Sequence, residues 1–109
     1  MSKYGNRKTV VDGIEFDSKH EAERWCELKL LQRAGEISNL HRQVPFSLIP
    51  AQRVNGKVVE KAVKYIADFS YWTKDGQYIV EDAKGVRTKE YILKRKMMLH
   101  FHGIQIKEV

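Results

Sequence analysis

The sequence contains a single cysteine, Cys26, among 109 residues. One thiol excludes an intramolecular disulfide framework and a zinc site built from several thiolates. No apolar run approaches the roughly 18–20 residues that span a bilayer. Residues 1–11 hold no continuous apolar segment of the kind a secretory signal requires. A protein without a membrane span, in a reducing intracellular compartment, is the expectation. Proline and glycine are also scarce, with 2 and 7 copies. They fall singly between patterned segments, so no linker is indicated. Repeats and low-complexity tracts are missing as well. What remains reads as one domain over residues 1–109, with a basic leader over about residues 1–8. A hydrophobic content of 42% is enough to build a core.

Positive charge is in excess: 20 Lys and Arg stand against 14 Asp and Glu, a net charge of +6. A small basic domain is drawn to polyanions, because each neutralised phosphate releases condensed counterions. Many basic proteins bind no nucleic acid specifically, so charge of this kind suggests such a partner without requiring it and says nothing about chemistry.

A short strand-like piece over residues 9–16 precedes Asp17-Ser18-Lys19-His20-Glu21. Ser18 followed three residues later by Glu21 is a capping box. The helix it starts runs to about residue 34, with Ala22, Trp25, Cys26 and Leu28 on one apolar face and Gly35 closing it. Residues 37–50 switch to period two, the pattern of a strand. Asn55-Gly56 is a hairpin turn leading into a long second strand over residues 58–72. A turn at Lys74-Asp75-Gly76 leads to a third strand over residues 77–84. Thr88 caps a second helix reaching about residue 101, Gly103 breaks it, and residues 104–109 alternate as a last strand. The order helix, three strands, helix, strand makes an α/β chain in the broad sense, of α+β type, with one mixed sheet flanked by two helices.

Asp68, Asp82 and Lys84 are the residues in which chemistry concentrates. A three-residue loop at residues 74–76 makes the numbers of paired residues sum to 150, which sets Asp68 opposite Asp82. Alternation puts Asp68 on a face with Ile66 and Ser70, and Ala67 with Phe69 on the other. Directly opposed residues share a face, with Cβ atoms roughly 4.5–5.5 Å apart. Two carboxylates so placed repel unless a cation lies between them, and hard oxygen ligands in a pair are how proteins hold Mg²⁺. Lys84, two residues beyond Asp82, falls on the same face about 6–7 Å along the strand. Its ammonium there can stabilise charge on a phosphoryl oxygen or orient a metal-acidified water. The same three residues also make a plain salt bridge with no metal, and strand geometry leaves both readings open. Glu21 is likewise explained by the capping box alone, or by a carboxylate turned toward the sheet.

Ile66-Ala67-Asp68-Phe69 followed by Ile79-Val80-Glu81-Asp82-Ala83-Lys84-Gly85 resembles the signature of the PD-(D/E)XK nuclease superfamily. The element order is similar to that superfamily's common restriction-endonuclease-like αβββαβ core. More closely, the chain resembles a family of small phage and prophage proteins assigned to it. In these a basic leader precedes a segment like Phe16-Asp17-Ser18-Lys19-His20-Glu21-Ala22-Glu23, and a Lys-Gly step opens the second helix. The likeness runs from about Tyr4 to Val109. It implies that Asp68 and Asp82 are metal ligands, that Lys84 is the catalytic lysine, and that Glu21 is the acidic residue supplied by the first helix. Ala67 stands where the signature has proline. Glu81 adjoins Asp82, and a β-bulge would exchange the two. The implied protein is a Mg²⁺-dependent DNA endonuclease, with Mn²⁺ as a substitute, cytoplasmic in a bacterial host. A resolvase of four-way or other branched DNA fits by analogy, and paired nicks would favour a homodimer. The alternative is a DNA-binding or recombination-accessory protein that keeps the fold without cutting.

Gln43 shares a strand face with His41 and Pro45, and resembles a glutamine that some relatives place beside the metal; its first reading is an ordinary strand amide. Arg87, Thr88, Lys89, Lys94, Arg95 and Lys96 cluster on the second helix and its approach. They read either as a DNA-phosphate grip or as a solvated face with stems lying over apolar neighbours. His100 and His102, two apart on a helix, face different directions and make no metal pair.

Overall fold

Residues 8–109 are described by the computed structural model of the chain. Most of the expected basic leader, residues 1–7, lies outside the described residues. Strands β1 (Thr9–Val11) and β2 (Ile14–Phe16) form a small antiparallel ribbon. Its turn is Asp12-Gly13, both at positive φ, the conformation that two-residue hairpins favour. Helix α1 (Lys19–Arg33) starts where the capping box predicts: the Ser18 hydroxyl accepts the Glu21 N–H at 3.1 Å.

The main sheet has four strands in the order β3 (Ile37–Ile49), β6 (Val63–Thr73), β7 (Tyr78–Asp82) and β8 (Lys107–Glu108). The first three are antiparallel neighbours, and β8 runs parallel to β7. Parallel pairing needs a crossover, which helix α2 (Lys89–His102) supplies. The expected α+β class, with two helices and a mixed sheet, is therefore what the chain forms.

Three strand boundaries differ from the pattern-based expectation. The long strand expected over residues 58–72 is two pieces. Strands β4 (Gln52–Val54) and β5 (Lys57–Glu60) pair with each other around Asn55-Gly56, and the chain joins the main sheet only at Val63. Every residue of β4 and β5 is exposed, so no buried face continues the alternation into β6. The third strand ends at Asp82 rather than residue 84. The last strand shrinks to two residues because the preceding segment closes the helix: the Gly103 and Ile104 N–H groups donate to the carbonyls of Leu99 and Met98.

Two apolar clusters hold the layers together. Leu28 of α1 packs with Ile37, Phe69 and Tyr71, and Trp25, Leu40 and Ile79 join them. Tyr91 and Met98 of α2 pack with Leu48, Tyr65, Ala67, Val80 and Ile106. Ile79 and Val80 are adjacent in β7 yet serve different clusters, so the two helices cover opposite faces there. Thr88 caps α2, its hydroxyl accepting the Tyr91 N–H at 3.1 Å. Thr88→Ala is expected to cost about 1 kcal/mol, read as a lower urea midpoint at unchanged slope.

One departure from regular geometry matters for function. In β6, Phe69 and Tyr71 belong to the α1 cluster, whereas Ala67 and Tyr65 belong to the α2 cluster. In a regular strand these four alternate residues share one face, so alternation breaks at Asp68. The expectation that Ala67 and Phe69 share a face is overturned for that reason. Across the ladder, Arg42 pairs with Phe69 and Val44 with Ala67, while Gln43, between them, has φ +54°. A non-glycine residue in the left-handed region is an uncommon conformation that the surrounding pairing must hold in place. Asp68 and Gln43 thus face each other across an irregularity shared by both strands.

Candidate active site

The loop of residues 74–76 sets the register as expected. Thr73 N–H donates to the Gln77 carbonyl, Ser70 pairs with Val80, and Phe69 pairs with Glu81. One step further Asp68 comes opposite Asp82, just past the last regular pair. There the Asp68 Oδ2 accepts the Ala83 N–H at 2.7 Å, a side chain standing in for a ladder bond.

Asp82 is 1% exposed. Its Oδ2 accepts the Tyr65 hydroxyl at 2.5 Å. Its Oδ1 is buried and has no hydrogen-bond partner among the described residues. The Lys84 Nζ lies 3.5 Å from that oxygen as an ion pair and sits 4.7 Å over the Tyr91 ring. Glu21, carried in by the first turn of α1, is 4% exposed, and its Oε1 receives the Gln43 Nε2 at 3.4 Å.

The electrostatics record how close these groups are. Burial first, then the charges of Asp82 and Glu21, push the Asp68 carboxyl up to about 8, against the pull of the Ala83 N–H and Lys84. Glu21 is also raised, by burial, then Asp17, with Asp82 adding to it and Arg42 and Lys84 opposing. The Tyr65 hydroxyl is raised by burial and by its bond to Asp82. The negative charge of Asp82 raises both Asp68 and Glu21, and Glu21 adds to the rise at Asp68, so the site is short of positive charge.

The structure therefore brings together Glu21, Gln43, Asp68 and Asp82 from four different elements, and Lys84 from the segment that follows β7. It adds Tyr65, which sequence reasoning missed. Regular alternation from Asp68 assigns Tyr65 to the opposite face, and only the break at Asp68 turns it toward Asp82.

Glu81 is held elsewhere. It is fully buried, receives Arg24 through Nε at 2.8 Å and Nη2 at 2.7 Å, and accepts the Tyr71 hydroxyl. Pairing of β7 with β6 is unbroken from Trp72–Tyr78 to Phe69–Glu81, so the bulge that would exchange Glu81 for Asp82 does not occur.

The basic residues around α2 divide. Arg87 pairs with Glu108 at 2.6 Å, and Arg95 and the Tyr91 hydroxyl bond the same carboxylate. Arg87 and these partners draw Glu108 down to about 2. Lys94 pairs with Glu90 at 3.1 Å. Lys89 and Lys96 are exposed and make no ion pair among the described residues. A cleft of about 300 Å³ opens beside Asp82, lined by Lys64, Tyr65, Lys84, Thr88, Tyr91 and Lys94 among others. Lys64 is a second residue that sequence reasoning missed, because its strand partner and the α2 side chains meet only in the fold.

Among the described residues, no three carboxylate, imidazole or thiolate groups converge closely enough to enclose a metal ion by themselves. Mg²⁺ asks for less, one or two carboxylates with waters and substrate phosphate oxygens completing the shell. The unpartnered Asp82 Oδ1 beside Asp68 is compatible with that donor set.

Fold and site together define an α+β domain with a carboxylate pair and a lysine at the end of a mixed sheet. The chain matches, over residues 1–108, the family described as protein of unknown function DUF1064, and it belongs to that family. Searches of curated proteins and of solved structures each give no match. No helix of the described residues is long and apolar enough to cross a membrane.

Proposed function

We propose that the protein is a Mg²⁺-dependent endonuclease that hydrolyses DNA phosphodiester bonds, with a restriction-endonuclease-like core and with Mn²⁺ able to replace Mg²⁺. The observation that carries this reading is the pair of Asp68, half-buried, and Asp82, fully buried, with an orphaned Asp82 oxygen and the Lys84 ammonium 3.5 Å from it. Holding two carboxylates this close costs stability unless a proton or a cation offsets their repulsion, and a divalent cation does so with both ionised. Mg²⁺ held by the pair would polarise the scissile phosphoryl group and acidify a water. Lys84 then offsets the charge that grows on the phosphoryl oxygens as the water oxygen bonds phosphorus and the alkoxide leaves. Glu21, held by Gln43, faces the same pair. The protein's net charge of +6 and the lysine-lined cleft supply the attraction for the phosphate backbone. Branched or four-way-junction DNA is the proposed substrate, and a homodimer would place two such sites for paired incision.

A second reading, a DNA-binding or recombination accessory that does not cut, draws on the Lys84–Asp82 ion pair, which already supplies part of the missing charge. One assay separates them: purified protein on linear, single-stranded, flapped and four-way-junction DNA. Cleavage is expected with Mg²⁺ or Mn²⁺ and none in excess chelator. Ca²⁺ should permit binding with little cutting, because its larger and looser shell positions water poorly. Full-rate cleavage in chelator overturns the metal site. Binding to every substrate without cutting favours the accessory reading.

A further inference from the structure

We propose that the β4–β5 ribbon is an arm that grips duplex DNA beyond the cleavage site, by lying in a groove against the backbone phosphates. This rests on the nuclease reading and extends it from the reacting phosphate to several base pairs of flanking duplex.

The ribbon leaves the main sheet after Ile49 and returns at Val63. All of its strand residues are exposed, Val54, Val58 and Val59 at 57%, 48% and 54% among them. A two-stranded ribbon on which none of the described residues packs is marginal in water, so its own contacts do not explain why it is there. Its charge indicates an occupant. Arg53, Lys57, Lys61 and Lys64 stand against the single carboxylate of Glu60. None of these four cations makes an ion pair among the described residues, although Lys84, Arg87, Lys94 and Arg95 near the site all do. The Arg53 Nη1 donates to the Gly56 carbonyl, which steadies the turn and leaves the charge uncompensated. A second copy of this chain would bring like charge against like, whereas a phosphate backbone is complementary. The size also fits: a B-form major groove about 12 Å wide admits a two-stranded ribbon. The exposed valines then meet sugars or thymine methyls.

The ribbon is continuous with the site. Lys64, at its base, lines the cleft that also holds Lys84 and Lys94. A basic track therefore runs from the Asp68–Asp82 pair, through the cleft, to the turn at Asn55-Gly56. Six residues of extended chain reach about 20 Å, or about six base pairs of duplex.

The test compares the full chain with a triple variant, Arg53→Gln, Lys57→Gln and Lys61→Gln. All three positions are exposed and none belongs to either apolar cluster, so the variant should keep its global fold, checked by thermal melting. Binding is measured in Ca²⁺ against salt concentration, on a 30-base-pair and an 8-base-pair duplex. On the long duplex the salt-dependence slope should flatten by up to about 2.7, at about 0.9 per lost phosphate contact. On the short duplex, which ends within the ribbon's reach, the two proteins should bind alike. An unchanged slope on the long duplex overturns the arm, and so does an equal loss on both lengths. A dimer that dissociates in the variant, with DNA binding intact, would make a second copy the occupant instead. Wild-type protein that binds and cuts while the variant behaves identically sinks the arm alone. Wild-type protein that binds neither duplex, nor a four-way junction with arms of the longer length, sinks the nuclease reading with it.

Discussion

Replacing Lys84 by alanine is expected to slow phosphodiester cleavage by about 10²–10³, or roughly 3–4 kcal/mol of barrier, the usual cost of one electrostatic contact to a developing oxyanion. Both carboxylates remain, so metal binding should survive, measurable by calorimetry with Mg²⁺ or Mn²⁺. DNA affinity should barely change, because one lysine among 20 basic residues adds little to a distributed grip. Asp82→Asn completes the comparison. It removes the charge that opposes Asp68 and the oxygen left without a partner, so cleavage should cease while DNA binding holds or tightens. The Tyr65 hydroxyl still has an amide oxygen to donate to, which keeps the variant folded. If both variants cut at the wild-type rate, the site is elsewhere. If both unfold, Asp82 and Lys84 form only a structural salt bridge.

Removing Arg24 is expected to cost about 3 kcal/mol of stability, toward the lower end for breaking a buried pair because Arg24 sits at the rim. Glu81 is fully buried and its two oxygens take both Arg24 donors. Without the guanidinium, Glu81 keeps the Tyr71 hydroxyl but loses its counter-charge. Arg24→Met should therefore lower the urea midpoint sharply, while Arg24→Met combined with Glu81→Met should recover most of the loss. A single Arg24→Met variant as stable as wild type would show that the pair contributes nothing. Glu81→Gln looks like a mild catalytic control from strand alternation alone. The structure makes it a stability variant, because Glu81 anchors α1 to β7 from the face opposite Asp82.

Local signals accounted for the helices and for the turn that sets the site. Ser18 and Thr88 cap α1 and α2 where side-chain oxygens three residues upstream of an N–H predict. The loop of residues 74–76 sets the register that brings Asp68 opposite Asp82, since loop length alone determines which residues pair. Alternation in β7 separates Asp82 from Glu81 correctly, because that strand is regular. What the sequence could not disclose depends on partners far away in the chain. The hairpin turn at Asn55-Gly56 is local, but whether its strands join the sheet or stand free depends on what covers them, and none of the described residues does. The break at Asp68 needs Gln43 opposite it at positive φ, a conformation that no local preference of glutamine favours. That one irregularity turns Tyr65 onto Asp82. Alternation is a property of a single strand, whereas a shared irregularity is a property of two strands held together, so only the tertiary structure could decide it.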